Sequence, residues 1–248
     1  MTIKEKIRIL LTGKYTSRIA DLISNIPKLH ICKNSPDIII AYGGDGALLG
    51  VEREYPRVPK FPIRDKETAS LCKKHSSYSK QLQNLAEGKL RKTMLRKICG
   101  NANGKICKGI NDVFIHNANP VSAIRYRVKI DGVPYGEEIV GDGVGVSTVH
   151  GSTAYYRSIT HSIFRTGIGL AFSNSTELTN HLVIPENSFI EIYITRGPAV
   201  FVCDNSPDIV PIDTGEKIEI FMSDDYAEIL GLDIFMCNEC RKLRHPRE

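Results

Sequence analysis

The chain has 248 residues, of which 42% are hydrophobic and 25% charged, and it carries a formal net charge of +5. That is an ordinary globular composition, in a chain too long for a disulfide miniprotein and able to bury a sizeable core in one large domain or two closely associated smaller ones. Mild basicity suits an anionic ligand such as a nucleotide and is equally common on a solvated surface. No apolar run reaches the roughly 20 residues that span a bilayer. Residues 1–6 lack the apolar core and cleavage site of a leader. The expectation is a soluble cytoplasmic protein with no membrane and no nucleic acid among its partners.

Residues 6–12, Lys-Ile-Arg-Ile-Leu-Leu-Thr, form a β-branched and apolar run that Gly13 ends, so a strand is expected there. Thr16 or Ser17 is placed to cap a helix over 17–26, with Pro27 as its stop. Residues 37–42, Asp-Ile-Ile-Ile-Ala-Tyr, read as a strand buried on both faces, as in a parallel sheet. Glycines follow, and Ala47-Leu48-Leu49 starts the next helix. This order is that of an open α/β sheet. Residues 65–87 are polar with spaced apolar positions and predict helix.

The pattern changes at about residue 90. From there to 225 the chain offers short runs rich in Val, Ile, Tyr and Phe, as at 124–130, 189–195, 199–203 and 217–221. Turn signals such as Asp131-Gly132, Arg196-Gly197-Pro198 and Asp213-Thr214-Gly215 separate them, which defines a β-rich region. There is no low-complexity linker between the two parts and no fixed-period repeat.

The strongest local signal is Ala41-Tyr42-Gly43-Gly44-Asp45-Gly46-Ala47-Leu48-Leu49. A buried strand ends in a turn with three glycines and one carboxylate. Glycine permits positive φ and close ligand approach. Backbone N–H groups in such a turn and at the next helix N-terminus can hold phosphate oxygens. Ligands of open α/β sheets sit beyond the carboxyl ends of the strands. Asp45 there can accept a hydroxyl proton, help hold a metal ion, or simply cap the helix.

A second glycine-rich segment runs from Gly141-Asp142-Gly143 through Gly151-Ser152-Thr153-Ala154-Tyr155. Its hydroxyls and N–H groups suit a ribose or phosphate, and Tyr155 offers a flat face with a polar tip. The plainer reading is a turn followed by a helix capped at Ser152. Gly109-Ile110-Asn111-Asp112 sets an amide beside a carboxylate. The common nucleotide loops are missing, and Gly100-Asn-Ala-Asn-Gly104-Lys105 is one residue short of a phosphate loop. The seven Cys are an odd, scattered set, read as reduced thiols. Cys237-x-x-Cys240 would need a second pair to hold structural zinc, and Cys99 and Cys107 are too far apart to provide one, so no metal ligands are assigned.

In order, these segments resemble the ATP-NAD kinases, a family with the diacylglycerol-kinase-like fold. The family's G-G-D-G is similar to Gly43–Gly46, its Asn-Glu pair to Asn111-Asp112, and its D-G-…-G-S-T-A-Y-x-x-S block to Asp142–Ser158. A later family strand with Asp-Gly is similar to Phe201–Asn205, and the final Gly-Asp strand to Gly215–Ile220. The resemblance implies an α/β N-terminal domain over 1–90, to which about 228–248 return, and an all-β, β-sandwich C-terminal domain over 91–227. It implies phosphoryl transfer from ATP to the 2′-hydroxyl of the adenosine ribose of NAD, with Mg²⁺ or another divalent cation, in a homodimer or homotetramer. Asp45 would be the catalytic carboxylate, with Gly44 and Gly46 lining the turn. Asn111 and Asp112 would bind adenosine, and Thr153, Ala154, Tyr155 and Ser158 would contact NAD. Asp142 would reach the nicotinamide end across a subunit interface. A lipid or sphingoid-base kinase of the same fold, and a weakened dinucleotide-binding paralogue, are the alternatives.

Departures from the family pattern are concentrated after the first turn. Val58–Asp65 has no glycines where the family has a glycine-rich segment, and Lys60 and Arg64 offer charge there unless they are simply solvated. Asp112 is one methylene shorter than the family's Glu. Val149-His150, Thr160-His161-Ser162 and Asn205 also differ from the usual residues.

Overall fold

A computed structural model describes residues 6–67, 71–72 and 77–240. The leader reading at 1–5, parts of the helix expected over 65–87, and the returning segment beyond 240 lie outside the described residues. The chain divides into two compact units, one of residues 1–95 and 227–248 and the other of residues 96–226.

The first unit opens with strand β1 (Ile7–Thr12), helix α1 (Ser17–Ser24), and strands β2 (Leu29–Ile31) and β3 (Ile38–Tyr42). Helix α2 (Asp45–Glu54), strand β4 (Lys60–Ile63) and helix α3 (Tyr78–Ala86) follow. β1 pairs in parallel with β2 and β3, and β3 with β4. Strand β16 (Lys217–Leu230) enters this unit at Ala227 and joins β4 in parallel at Ile229–Lys60. Ile39, Ile40, Ala41 and Tyr42 are all buried, because a central parallel strand is covered on both faces. Ile9, Ile19, Ile40, Phe61 and Leu82 pack into one core.

Three expectations in this unit need correction. Among the described residues, the helix expected over 65–87 is found only at Tyr78–Ala86, where Ser77 Oγ accepts the Lys80 N–H at 3.3 Å as N-cap. Neither Thr16 nor Ser17 caps α1 through its side chain. The Val58–Asp65 segment is no loop at Lys60–Ile63 but a fully buried strand. Lys and Pro obscure it in sequence. In the fold, the Lys60 ammonium forms a buried ion pair with Glu52, and Pro62 lies beyond the β16 pairing at Lys60.

The second unit is two sheets face to face. One has the order β12-β11-β10-β7-β14-β15, from His181–Ile184, Ile168–Ser173, Gly143–Ser147, Asp112–Asn117, Ala199–Cys203 and Val210–Ile212. The other runs from the first part of β16 through β13 (Ile190–Arg196) and β8 (Ile124–Ile130) to β9 (Val133–Gly141). Ile124, Tyr126 and Val128 are buried while Arg125 and Arg127 are exposed, the alternation of an antiparallel sheet with one face in the core. Val113, Ile115, Val144 and Leu170 from one sheet meet Tyr126, Ile190, Ile192 and Ile218 from the other, so the layers form a sandwich. Strands β5 (Lys92–Ala102) and β6 (Lys105–Gly109) form a hairpin whose turn is Asn103-Gly104, with φ of 54° and 76°. The apparent truncated phosphate loop at 100–105 is therefore a hairpin turn of the Asn-Gly kind.

Candidate active site

In the first unit β3 ends at Tyr42 and α2 starts at Asp45, so the glycine turn sits where strand gives way to helix. Gly43 has φ of 151°, and a Cβ there would lie 3.1 Å from the Ala47 Cβ. Backbone conformation thus demands that glycine. Gly44 is different: its φ is −100°, and a Cβ would meet nothing within 4 Å. Folding imposes no glycine there, and the missing side chain leaves the α2 N-terminus open to close approach.

Gly44 is the N-cap of α2 and no side chain caps it, so Asp45 is a first-turn residue and not the cap. Its side chain is 57% exposed, and Oδ1 accepts a hydrogen bond from Arg64 Nη2 at 2.9 Å. Arg64 itself is only 7% exposed. Its Nε donates to the Phe235 carbonyl at 2.9 Å, its Nη2 reaches Met236 Sδ at 3.8 Å, and the guanidinium lies 4.0 Å over the Phe235 ring. Arg64 is therefore committed to holding Asp45 and the Phe235–Met236 segment, and Lys60 to Glu52, so neither is a solvated side chain.

The backbone that carries Arg64 is fixed from behind. Asp65 is 1% exposed and accepts hydrogen bonds from Tyr42 Oη at 2.9 Å, Arg18 Nη1 at 2.7 Å and the Glu67 amide at 3.2 Å. Burial alone would raise its pKa, but these donors hold it below the ordinary carboxylate value. Tyr78 Oη donates to the Arg64 carbonyl at 3.1 Å and accepts from the Lys66 amide at 2.8 Å. Burial, then the Tyr78 and Asp65 hydrogen bonds, raises the Tyr42 pKa, so Tyr42 stays a donor.

In the second unit the Asn111-Asp112 pair begins β7, beside the Ser147 end of β10. The Asn111 carbonyl accepts the Thr148 amide at 2.8 Å and the Ser147 hydroxyl at 3.3 Å. Thr148 Oγ1 donates to the Ile110 carbonyl at 2.7 Å and accepts the Gly151 amide at 3.0 Å. A Cβ on Gly151 would fall 2.1 Å from the Asn111 carbonyl oxygen, so this glycine serves the close approach of two backbones. The fold thus joins Asn111-Asp112 to the Gly151–Tyr155 turn.

Asp204 is the residue that the spacing of motifs did not single out here. It sits at φ 49°, directly after β14, and its carboxylate accepts the amides of Ile110 at 2.9 Å, Asn111 at 2.8 Å and Asp112 at 3.0 Å. A Cβ on Gly109 would lie 2.5 Å from Asp204 Oδ1, which explains that glycine. Burial, and then the charge of Asp204, pushes the Asp112 pKa up to about 8. Asp112 is therefore a neutral acid at physiological pH and can donate a hydrogen bond.

This pair has a sign that can be measured. Between the ordinary carboxylate pKa and about 8, the folded protein binds a proton at Asp112 that the unfolded chain releases. Its contribution to stability is full in acid and falls as pH rises through that window. Asp112→Asn is expected to flatten the fall, so that unfolding curves of wild type and variant converge toward acid and separate in favour of the variant above pH about 8. Parallel curves across pH 5–9 would contradict it.

The remaining candidates divide. Ser152 does not cap a helix, since its hydroxyl donates to the Val149 and Phe164 carbonyls at 2.8 and 3.3 Å; helix α4 (Tyr155–Thr160) has Ala154 as N-cap. Thr153 is half-buried, while Ala154, Tyr155 and Ser158 are exposed. The Tyr155 ring packs on Phe114 at 4.5 Å and His116 at 5.5 Å between centroids. Asp142 stands apart: Ser147 pairs Asp112, whereas the Asp142 carbonyl accepts the Asn117 amide, five residues on, which puts it about 17 Å along the strand from Asp112. It is exposed and accepts the Asn174 amide nitrogen at 2.8 Å. His161 is exposed at the α4 C-cap with φ 54°.

The cysteine pair gains a neighbour. Cys72 Sγ lies 3.9 Å from Cys237 Sγ, and the Cys72 amide donates to Cys240 Sγ at 3.1 Å.

A parallel α/β unit joined to a β-sandwich unit in this order is a fold shared with solved pyridine-dinucleotide kinases. The crystal structure of yeast NADH kinase complexed with NADH superposes with a TM-score of 0.77 at 17% identity, over 92% of this chain and 84% of that one. An NAD kinase from Archaeoglobus fulgidus in complex with ATP gives 0.76 at 19%, over 95% and 99%. Residues 110–232 match the ATP-NAD kinase C-terminal domain. The NAD kinase of Streptococcus mutans is 27% identical over 233 residues, 82% of each chain, and that of Streptococcus pyogenes serotype M3 is 24% identical over 245 residues, 89% of this chain and 87% of its own. Residues 110–232 thus carry the family's C-terminal domain, and these likenesses together support an ATP-NAD kinase family member.

Proposed function

We propose that this chain transfers the terminal phosphoryl group of ATP to the 2′-hydroxyl of the adenosine ribose of NAD, forming NADP. The observation that carries the reading is Asp45: an exposed carboxylate in the first turn of α2, held at one oxygen by a buried arginine, next to a glycine that folding does not require. Asp45 accepts the hydroxyl proton as the oxygen attacks in line, and the α2 N-terminal amides and Gly44 take phosphate oxygens. Arg64 positions Asp45. In the second unit Asn111 and the neutral acid Asp112 bind the adenosine, and Thr153, Ala154, Tyr155 and Ser158 line the dinucleotide, with the Tyr155 ring braced on Phe114.

A divalent cation would supply neutralisation of phosphate charge, and the exposed Asp45 is a carboxylate of the kind that would hold it. The separation of Asp142 from Asn111-Asp112 supports its acting on a second subunit's ligand in a homodimer or homotetramer. No helix among the described residues is long and apolar enough to cross a membrane, which accords with a cytoplasmic enzyme.

The test is incubation of purified protein with ATP, Mg²⁺ and, separately, NAD, NADH or diacylglycerol. NADP or NADPH formation is expected. A phosphorylated lipid would replace this reading with the lipid-kinase alternative. Dinucleotide binding without turnover would replace it with a binding paralogue.

A further inference from the structure

The first unit holds a cluster that the proposed kinase chemistry leaves unused. Cys72, Cys237 and Cys240 place their three Sγ atoms within 4.8 Å of one another. Cys72 follows the Arg64-Asp65 segment, whereas Cys237 and Cys240 follow the Phe235-Met236 segment on which Arg64 is bonded. Cys240 is 1% exposed and the other two are half-buried.

We propose that these three thiolates bind a structural zinc ion that fastens the C-terminal segment to the loop after Arg64. The distances favour it. With Zn–S bonds of about 2.3 Å and tetrahedral angles, bound sulfurs sit about 3.8 Å apart. Cys72 and Cys237 are at 3.9 Å, far from the roughly 2.05 Å of a disulfide. Cys237 and Cys240 have the two-residue spacing of zinc hairpins, and Cys72 comes from 165 residues away to complete a three-sulfur face. The Cys72 amide donates to Cys240 Sγ at 3.1 Å, and backbone N–H groups aimed at sulfur are the outer contacts that orient zinc thiolates. Three thiols packed as small apolar groups need neither that spacing nor that donor. A closed structural site takes a fourth ligand. The sequence has a histidine three residues after Cys72, which lies outside the described residues, and the proposal rests on the three cysteines alone.

The site's consequence runs through Arg64. Phe235 and Met236 hold its guanidinium, and a metal joining Cys237 and Cys240 to Cys72 fixes the segment that keeps Arg64 on Asp45. The cysteines are positioning residues in that sense and touch no reacting atom.

The experiment is metal analysis of the purified, tag-free full chain in reducing, chelator-free buffer. About one zinc per chain is expected, with X-ray absorption showing at least three sulfur neighbours at about 2.3 Å. Cobalt exchanged for zinc should give intense thiolate-to-metal charge-transfer bands and tetrahedral visible bands. C237S and C72S should abolish the cobalt thiolate signature at full occupancy, whereas C32S and C107S should leave it intact. If the C72S or C237S chain does not fold, the sulfur count on wild type still decides. A wild-type protein with no zinc and no cobalt thiolate bands overturns the proposal. So does one in which mass spectrometry finds a disulfide within this trio. None of these readouts uses turnover, so failure of the proposed kinase activity leaves them unaffected.

Discussion

Asp45→Asn is expected to lower the rate of NADP formation by about 10²–10⁴-fold, the usual cost of removing a general base, while leaving NAD affinity nearly unchanged. The amide has the shape of the carboxylate and cannot take the proton of the attacking hydroxyl. Because Asp45 is 57% exposed, the change is not expected to disturb folding much. Its partner Arg64 is 7% exposed and keeps its bond to the Phe235 carbonyl, so the guanidinium retains a fixed site. Steady-state NADP formation, with NAD binding measured by calorimetry on the same preparation, checks both halves. Unchanged turnover would remove Asp45 from the chemistry. Turnover and NAD binding lost in parallel would make it a folding or binding residue.

The sequence was most readable where a single element decides its own conformation. The continuous apolar run at 38–42, the alternating run at 124–130 and the runs at 199–203 and 217–221 all become strands, because period and turn residues are local properties. β4 was hidden for the opposite reason. Lys60 and Pro62 argue against a strand until Glu52 neutralises the lysine inside the unit and the β16 pairing is seen at Lys60 rather than Pro62. The carboxylate turn could be found from its glycines, but not which of them folding demands. That distinction needs the open space above Gly44 and the positive φ of Gly43. The Arg64 bond to Phe235 and the cysteine trio join residues more than 160 positions apart, and no spacing rule spans that distance. Asp204 carried only a family strand in the sequence. Its three amide bonds belong to a pair of chain segments 92 to 94 residues apart.

Those three bonds make Asp204→Ala the substitution with the largest expected effect on folding. The Ile110, Asn111 and Asp112 amides are buried or nearly so, and the alanine leaves all three without their acceptor. An unsatisfied buried donor costs about 1–3 kcal/mol, so the total loss should exceed about 3 kcal/mol even after partial relaxation. Chemical denaturation at pH 7 measures it. Asp204→Asn separates geometry from charge. Its side-chain oxygen can still accept the Asn111 and Asp112 amides, both of which now go to Oδ1, so a smaller loss is expected. It also removes the negative charge that adds to burial in raising Asp112, so the Asp112 pKa should fall toward the ordinary carboxylate range. Two effects of one substitution then move oppositely: a cap is weakened while a buried like-charge repulsion is relieved. The repulsion grows as Asp112 ionises, so Asp204→Asn should be most destabilising relative to wild type in acid and least so above pH about 8. A deficit that is constant with pH would mean that Asp112 and Asp204 do not sense each other's charge. In that case burial alone would have to account for a neutral acid at the start of β7.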